Sequence, residues 1–305
     1  MVHPHRRNVL HVPEPLDVHE VRAVDGYPIT LRRHGNPDGP RLVLGHGNGF
    51  AADAYWPFWS RFTRDFDVFV HDVRNHGWNP VGDPDAHTIP AVASDLDRVS
   101  REIDQRFGAR PKAGVFHSLT AMAALHAGTS YEYAALGLFA PPIMLPGRAT
   151  VELVRRGAGM AAATRRRRDR FAQPSDYVEL LSEKPAFARL DAARLDLFAR
   201  STLRPAGDGD GYELCCPPEH EARLWDTLYP FARKIDFGAM ACPLKVIGSD
   251  PTVPNSFLPS VRMPEILLIE YDFVPETTHL LLLEEPDVCA DFTLRYLAEQ
   301  SFSTS

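Results

Sequence analysis

AGVFHSLTAMAALHA, residues 113–127, is an apolar run that ends in Ser118 and passes at once into an alanine-rich stretch. Four consecutive apolar or small residues read as a buried strand, and the alanines, leucines and Met122 that follow read as a helix. A serine between them sits on a sharp strand-to-helix turn. Such an elbow lifts the hydroxyl above the sheet edge and aims the Leu119 amide and the helix N-terminus at any oxyanion formed beside it. A serine after a strand also serves as an ordinary helix N-cap, so the segments around it have to carry the reading.

Outward from the elbow, short apolar runs recur at intervals long enough for crossover helices: RLVLGH (41–46), DVFVHD (67–72), AALGLFA (134–140), LKVIG (244–248) and EILLIEY (265–271). That rhythm predicts an α/β fold, with a mostly parallel, doubly wound sheet covered on both faces. HEVRAV (19–24) and YPITLRRHG (27–35) form an antiparallel ribbon turning at Asp25-Gly26. Val92, Leu96, Val99 and Ile103 mark one face of a helix over 90–107. From 142 to 235 the strand rhythm stops and the chain becomes rich in Arg, Ala and Leu. This segment is expected to be a mainly helical cap inserted into a core made of 1–141 and 236–305. Within it, RPAGDGDG (204–211) reads as a loop, and Arg165–Arg168 reads as a solvated helix face in preference to an anion site.

The order of motifs resembles the α/β-hydrolase superfamily, in the serine hydrolase and esterase branch with a helical lid. GHGNGF (45–50) is similar to that family's HG turn. The resemblance implies that the backbone NH of Asn48 joins that of Leu119 in an oxyanion hole, supported by His46, Gly47 and Gly49. HDVRNHGWN (71–79) is similar to a DxRxHG turn in which Asp72, Arg74, His76 and Gly77 are structural, so His76 is not favoured as a base. His117 is not favoured either, since a histidine before the nucleophile points away from the proton to be abstracted. The elbow departs from the family's GxSxG at Phe116 and Thr120, where small residues relieve crowding between strand and helix.

The resemblance implies a triad of Ser118 as nucleophile, His279 as base and Asp250 as the acid that orients it. Asp250 follows the strand LKVIG, and His279 lies a short loop beyond the last strand, so both fall at carboxyl strand ends in the chain order Ser, Asp, His. Asp272, in EYDFVPETTHLL (270–281), is the alternative acid. The implied activity is hydrolysis of medium-sized hydrophobic carboxylic esters. Carbon-carbon bond hydrolase, thioesterase, lactonase and perhydrolase chemistry uses the same machinery, and a non-catalytic binder of a small hydrophobic ligand is the reading from another class. Phe171, Tyr177, Phe187, Phe198, Tyr212 and Trp225 are candidate pocket residues. Substrate choice is expected to reside there and in the segment Tyr55, Trp56, Phe58 and Trp59, although such aromatics are more often the packed face of a helix than a binding wall.

Composition bounds these expectations. The chain has 305 residues, 44% hydrophobic and 24% charged, with a formal net charge of -7. Such a chain can bury a large core and gives no electrostatic reason for nucleic acid or an anionic membrane as partner. A small-molecule ester is the expected partner, and a homo-oligomer is compatible with the composition. Four cysteines without a CxxC pair point to neither a disulfide framework nor a zinc site, and the vicinal Cys215 and Cys216 are expected to be reduced. The triad requires no metal or organic cofactor. No signal peptide or spanning segment is evident, which makes the cytoplasm the default location.

Overall fold

The computed structural model describes residues 9–126, 132–143, 150–232, 235–254 and 270–302. Its centre is an eight-stranded sheet in the order β1-β2-β4-β3-β5-β6-β10-β11. The strands are β1 (Asp17–Arg22), β2 (Pro28–Gly35), β3 (Arg41–Gly45), β4 (Asp67–His71), β5 (Lys112–His117), β6 (Ala135–Phe139), β10 (Leu244–Ser249) and β11 (Glu270–Val274). The first two form the expected ribbon, with Val21 opposite Ile29 and Gly26 at φ +82° in the turn. β2 pairs antiparallel with β4, and every later pairing is parallel.

The middle strands are buried on both faces, and their alternation splits the core in two. Leu42, Leu44, Val68, Val70 and Val115 point into one cluster with Tyr55, Phe58, Trp59 and Tyr296. Val43, Phe69, Phe116, Leu136 and Leu138 point into the other, against Val92, Leu96, Val99 and Ile103. Those four belong to helix α2 (Ile89–Phe107), which follows α1 (Trp56–Trp59) and precedes α3 (Leu119–Ala124), and which Thr88 caps by accepting from the Ala91 amide. The helix over Pro286–Glu299 covers the first cluster with Cys289, Ala290 and Leu297. Tyr55, Phe58 and Trp59 are thus core, as their spacing indicated.

Between β6 and β10 lie helices α4 (Thr150–Arg165), α5 (Pro174–Ser182), α6 (Ala192–Thr202) and α7 (Pro218–Ala232). Helical content was expected here, but a small sheet was not: β7 (Arg170–Phe171), β9 (Tyr212–Leu214) and β8 (Leu203–Pro205) pair antiparallel. Of the 204–211 segment, Arg204 and Pro205 belong to β8, and residues 206–211 are the turn of a hairpin between β8 and β9. Gly211, at φ +74°, lets it close, since a Cβ there would meet the Phe171 carbonyl oxygen at 2.4 Å. The arginine run is likewise more than a solvated face. Arg165 pairs with Glu219 at 2.7 Å and Asp226 at 2.6 Å, and Arg167 with Glu221 at 2.6 Å, fastening the end of α4 to α7.

The end of the chain corrects a second expectation. Of EILLIEY, residues 265–269 lie outside the described residues, and the described strand continues to Val274. Asp272 therefore lies inside β11, opposite Ile247, and accepts from the Phe273 amide at 2.9 Å. Among the described residues no helix is long and apolar enough to cross a membrane.

Candidate active site

Parallel strands deliver their carboxyl ends to one edge of the sheet. β3 ends before His46–Gly49, β5 before Ser118 and β10 before Asp250, and the loop after β11 carries His279. Ser118 has φ +50° and ψ -107°, and its amide donates to the Phe139 carbonyl at 2.9 Å. A non-glycine residue at positive φ is a strained position that the surrounding packing must hold.

The two bulky residues flanking the elbow fit because their neighbours are bare. Phe116 pairs with Gly45 across the sheet and follows Gly114 on the same face. A Cβ on Gly114 would meet the Phe116 ring at 2.5 Å, and one on Gly45 would meet both Phe116 and Thr120 at 3.0 Å. The small residues have moved to adjoining positions. Thr120 closes the turn with its hydroxyl, which donates to the His117 carbonyl at 3.1 Å and receives the His117 amide at 3.2 Å. Gly114→Ala should therefore destabilise by about 1–3 kcal/mol through overpacking. Phe116→Leu in the same chain should restore most of the loss, as read from the urea midpoint. An additive double mutant would refute this account.

His279 Nε2 lies 2.9 Å from Ser118 Oγ. Burial pushes its imidazole down to about 4, so it is neutral at physiological pH and able to accept the serine proton. Ser118 and His279 are thus brought together. Asp250 sits at the same sheet edge, and its carboxylate accepts from the Thr252 hydroxyl at 2.7 Å, the Thr252 amide at 2.8 Å and the Glu276 amide at 2.8 Å. These bonds, the hydroxyl first, hold it below the usual carboxylate range. Its own amide donates to the Thr277 carbonyl at 3.1 Å. Asp250 therefore grips the backbone that leads into His279. Asp272 makes no comparable approach, being held within β11.

The turn after β3 is pinned from several sides. The Gly47 amide donates to the Tyr55 hydroxyl at 3.2 Å, the Gly49 amide to His76 Nε2 at 2.9 Å and the Phe50 amide to the Gly47 carbonyl at 3.3 Å. No described backbone hydrogen bond uses the Asn48 amide, the position matched to an oxyanion donor. His46 accepts from the Val73 amide at 2.9 Å and donates to the Gly47 carbonyl at 2.8 Å. The segment between β6 and β10 contributes as well: Asn48 Nδ2 donates to the Glu221 carbonyl at 3.0 Å, and a Cβ on Gly49 would meet the Glu221 carboxylate at 2.5 Å. His76 and His117 both spend their ring nitrogens on other groups, so neither is a base for Ser118.

Behind this turn, His76, His87 and Cys216 bring ligand-type atoms within 4.8 Å of one another. Their protons argue against a metal centre. Asn75 Oδ1 accepts from the Gly82 amide at 2.6 Å, so its Nδ2 donates to His87 Nδ1 at 2.9 Å and leaves the proton on His87 Nε2. Both nitrogens of His76 face backbone groups. His220 donates from Nε2 to the Gly82 carbonyl at 3.0 Å, which makes its Nδ1 an acceptor, and its ring centre lies 5.7 Å from that of His87.

Above Ser118 opens a cavity of about 710 Å³. Its floor is Asn48, Gly49, Ser118 and His279, and its walls include Phe50, Tyr177, Leu181, Phe187, Phe198 and Trp225. Four of the six candidate pocket aromatics singled out from sequence line it. Phe171 and Tyr212 instead pair in the small sheet. Phe50 was not singled out, although its place directly after the glycine turn was the available signal. Cys215 and Cys216 are free and buried.

A model of the alpha/beta hydrolase family matches residues 42–292. Among solved structures, the chain is similar to E-2-(acetamidomethylene)succinate hydrolase, with TM-score 0.71, 16% identity, and 92% of this chain and 99% of that one covered. The thioesterase domain from the curacin biosynthetic pathway gives TM-score 0.69 at 17% identity, over 92% and 99%. A thermophilic esterase from Thermogutta terrifontis gives TM-score 0.67 at 17% identity, over 93% and 99%. At these identities the likeness is one of fold. No curated protein matches the chain.

Proposed function

The chain belongs to the alpha/beta hydrolase family, and from that premise we propose that it is a serine hydrolase cleaving medium-sized, hydrophobic carboxylic esters through an acyl-enzyme. The observation that carries this reading is the 2.9 Å contact between Ser118 Oγ and a neutral His279 on the floor of an aromatic-walled cavity. His279 Nε2 takes the hydroxyl proton as Oγ bonds to the ester carbonyl carbon. The Asn48 and Leu119 amides receive the oxyanion, donors of this kind being worth about 3 kcal/mol of barrier each. Collapse of the intermediate breaks the carbon-oxygen bond to the alcohol, which leaves with the proton from His279. Water, deprotonated by the same imidazole, then releases the acid. The segment 142–235 acts as a lid, since α4 to α7 supply most of the cavity walls.

Asp250 fills the acid position, and its contacts give it a specific way to act: it fixes the loop at Glu276 and Thr277, three and two residues before the base. Asp250→Asn keeps one acceptor oxygen but loses the charge. It is expected to lower the rate by about 10- to 100-fold, well short of the roughly 10⁴-fold loss met when an aspartate bonded directly to the base is replaced in a serine protease triad. A loss of the larger size, measured on a p-nitrophenyl ester, would show that the carboxylate reaches the imidazole during turnover. The apolar walls favour esters of mid-length acids, and a panel of p-nitrophenyl acetate, hexanoate and dodecanoate tests that preference. The best rate on the acetate would count against it.

A further inference from the structure

We propose that His117 is a positioning residue for the base, the middle of a one-way hydrogen-bond chain that ties the oxyanion turn to the backbone of His279. The inference rests on the serine hydrolase reading above. The chain has a defined direction. The Gly47 amide donates to the Tyr55 oxygen at 3.2 Å, so the Tyr55 hydroxyl proton is free to go to His117 Nδ1, 2.7 Å away. With Nδ1 accepting, the ring proton is on Nε2, and it meets the carbonyl oxygen of His279 at 3.0 Å. The first two links are buried and the last, at the His279 carbonyl, is partly so, with Tyr55 and His117 4% and 1% exposed.

Three consequences follow from this geometry. The imidazole of His279, whose ring centre is 5.0 Å from that of His117, is carried on a backbone fixed at its own carbonyl. Asp250 holds the same loop two and three residues earlier, so the base is clamped from both sides. The second consequence concerns charge. Burial and then the neighbouring His279 press His117 toward its neutral form, so it adds no positive charge when His279 is protonated in the reaction. The third concerns registry. Gly47 precedes Asn48, so the oxyanion donor and the base are attached to opposite ends of one short chain, and the separation between them is set by Tyr55 and His117. A shift of about 1 Å in such a constellation costs on the order of 10²-fold in rate.

The test combines a tautomer readout with a reactivity readout. In long-range ¹⁵N–¹H spectra of the intact protein, His117 should appear as the neutral Nε2–H tautomer, and Tyr55→Phe, which removes the donor to Nδ1, should shift it toward a tautomer mixture. A wild-type His117 protonated at Nδ1 overturns the chain. Labelling of Ser118 by a fluorophosphonate should slow by about 10²-fold in His117→Phe, with KM for a p-nitrophenyl ester little changed. His117→Gln, which can accept from Tyr55 and donate to the His279 carbonyl, should recover to within 10-fold of wild type. Equal labelling of wild type and His117→Phe removes the positioning role and leaves the hydrolase reading standing. A wild type that is not labelled removes the hydrolase reading, and this inference with it.

Discussion

Ser118→Ala is expected to abolish both fluorophosphonate labelling and ester turnover, a loss of at least about 10⁴-fold. The size follows from the division of labour at the elbow. In the proposed mechanism Ser118 Oγ, 2.9 Å from His279 Nε2, is the nucleophile, and the Asn48 and Leu119 amides would stabilise only an oxyanion that it has formed. The fold should survive, because Ser118 is held by backbone bonds that the substitution keeps, its amide donating to the Phe139 carbonyl and its carbonyl accepting from the Met122 amide. A comparison with Ser118→Gly sharpens the point. Glycine adopts φ +50° at no steric cost, so this variant, equally inactive, should be more stable than Ser118→Ala by about 1 kcal/mol in urea unfolding. Turnover by Ser118→Ala at the wild-type rate would remove the mechanism altogether.

The second large effect is on stability in acid. Burial pushes His34 and His71 down to about 4, and it drives His46, His87 and His117 well below their ordinary value. In the unfolded chain each takes up a proton near pH 6.5. The unfolded state therefore binds more protons below that value, and stability that is complete above it is lost as pH falls toward 4. At pH 5 the loss for a group lowered to about 4 is roughly 2 kcal/mol, so His34 and His71 together remove about 4 kcal/mol, and the other three add to it. Domains of this kind have about 5–15 kcal/mol in total. Unfolding free energy from urea titrations should be flat from pH 8 to 7 and fall steeply below 6.5, with acid unfolding complete before pH 4. Constant stability between pH 7 and 5 would mean that these histidines already carry protons in the folded state.

Much of the sheet was legible because its signals are local. Leu42, Val43 and Leu44 form a continuous apolar run that only a strand buried on both faces can use. The helix over Ile89–Phe107 declared itself by its apolar spacing, while its cap at Thr88 came only with the structure. The small sheet of β7, β8 and β9 was not legible, since two- and three-residue strands carry no period, and Gly211 matters only through its approach to the Phe171 backbone. Phe116 and Thr120 looked like obstacles when the pentapeptide around Ser118 was read alone. Gly45 and Gly114 remove the obstacle, and Gly45 lies on a different strand, joined to the elbow only by sheet register. That accommodation also takes away the reason for preferring a non-catalytic binder.

The sequence by itself determined the succession of buried strands and the mostly parallel sheet, and it singled out Ser118 and His279 as candidates, because each is marked by where an apolar run stops and what residue stands there. The tertiary structure alone decided how those groups are held: Asp250 on Thr252 and Glu276, Glu221 of α7 against Gly49, and Tyr55 and His117 between Gly47 and His279. These contacts join residues up to 173 positions apart, as with Asn48 and Glu221. A hydrogen bond depends on separations of a few tenths of an ångström and on which tautomer a neighbour enforces. Neither is encoded in the spacing of apolar residues along the chain.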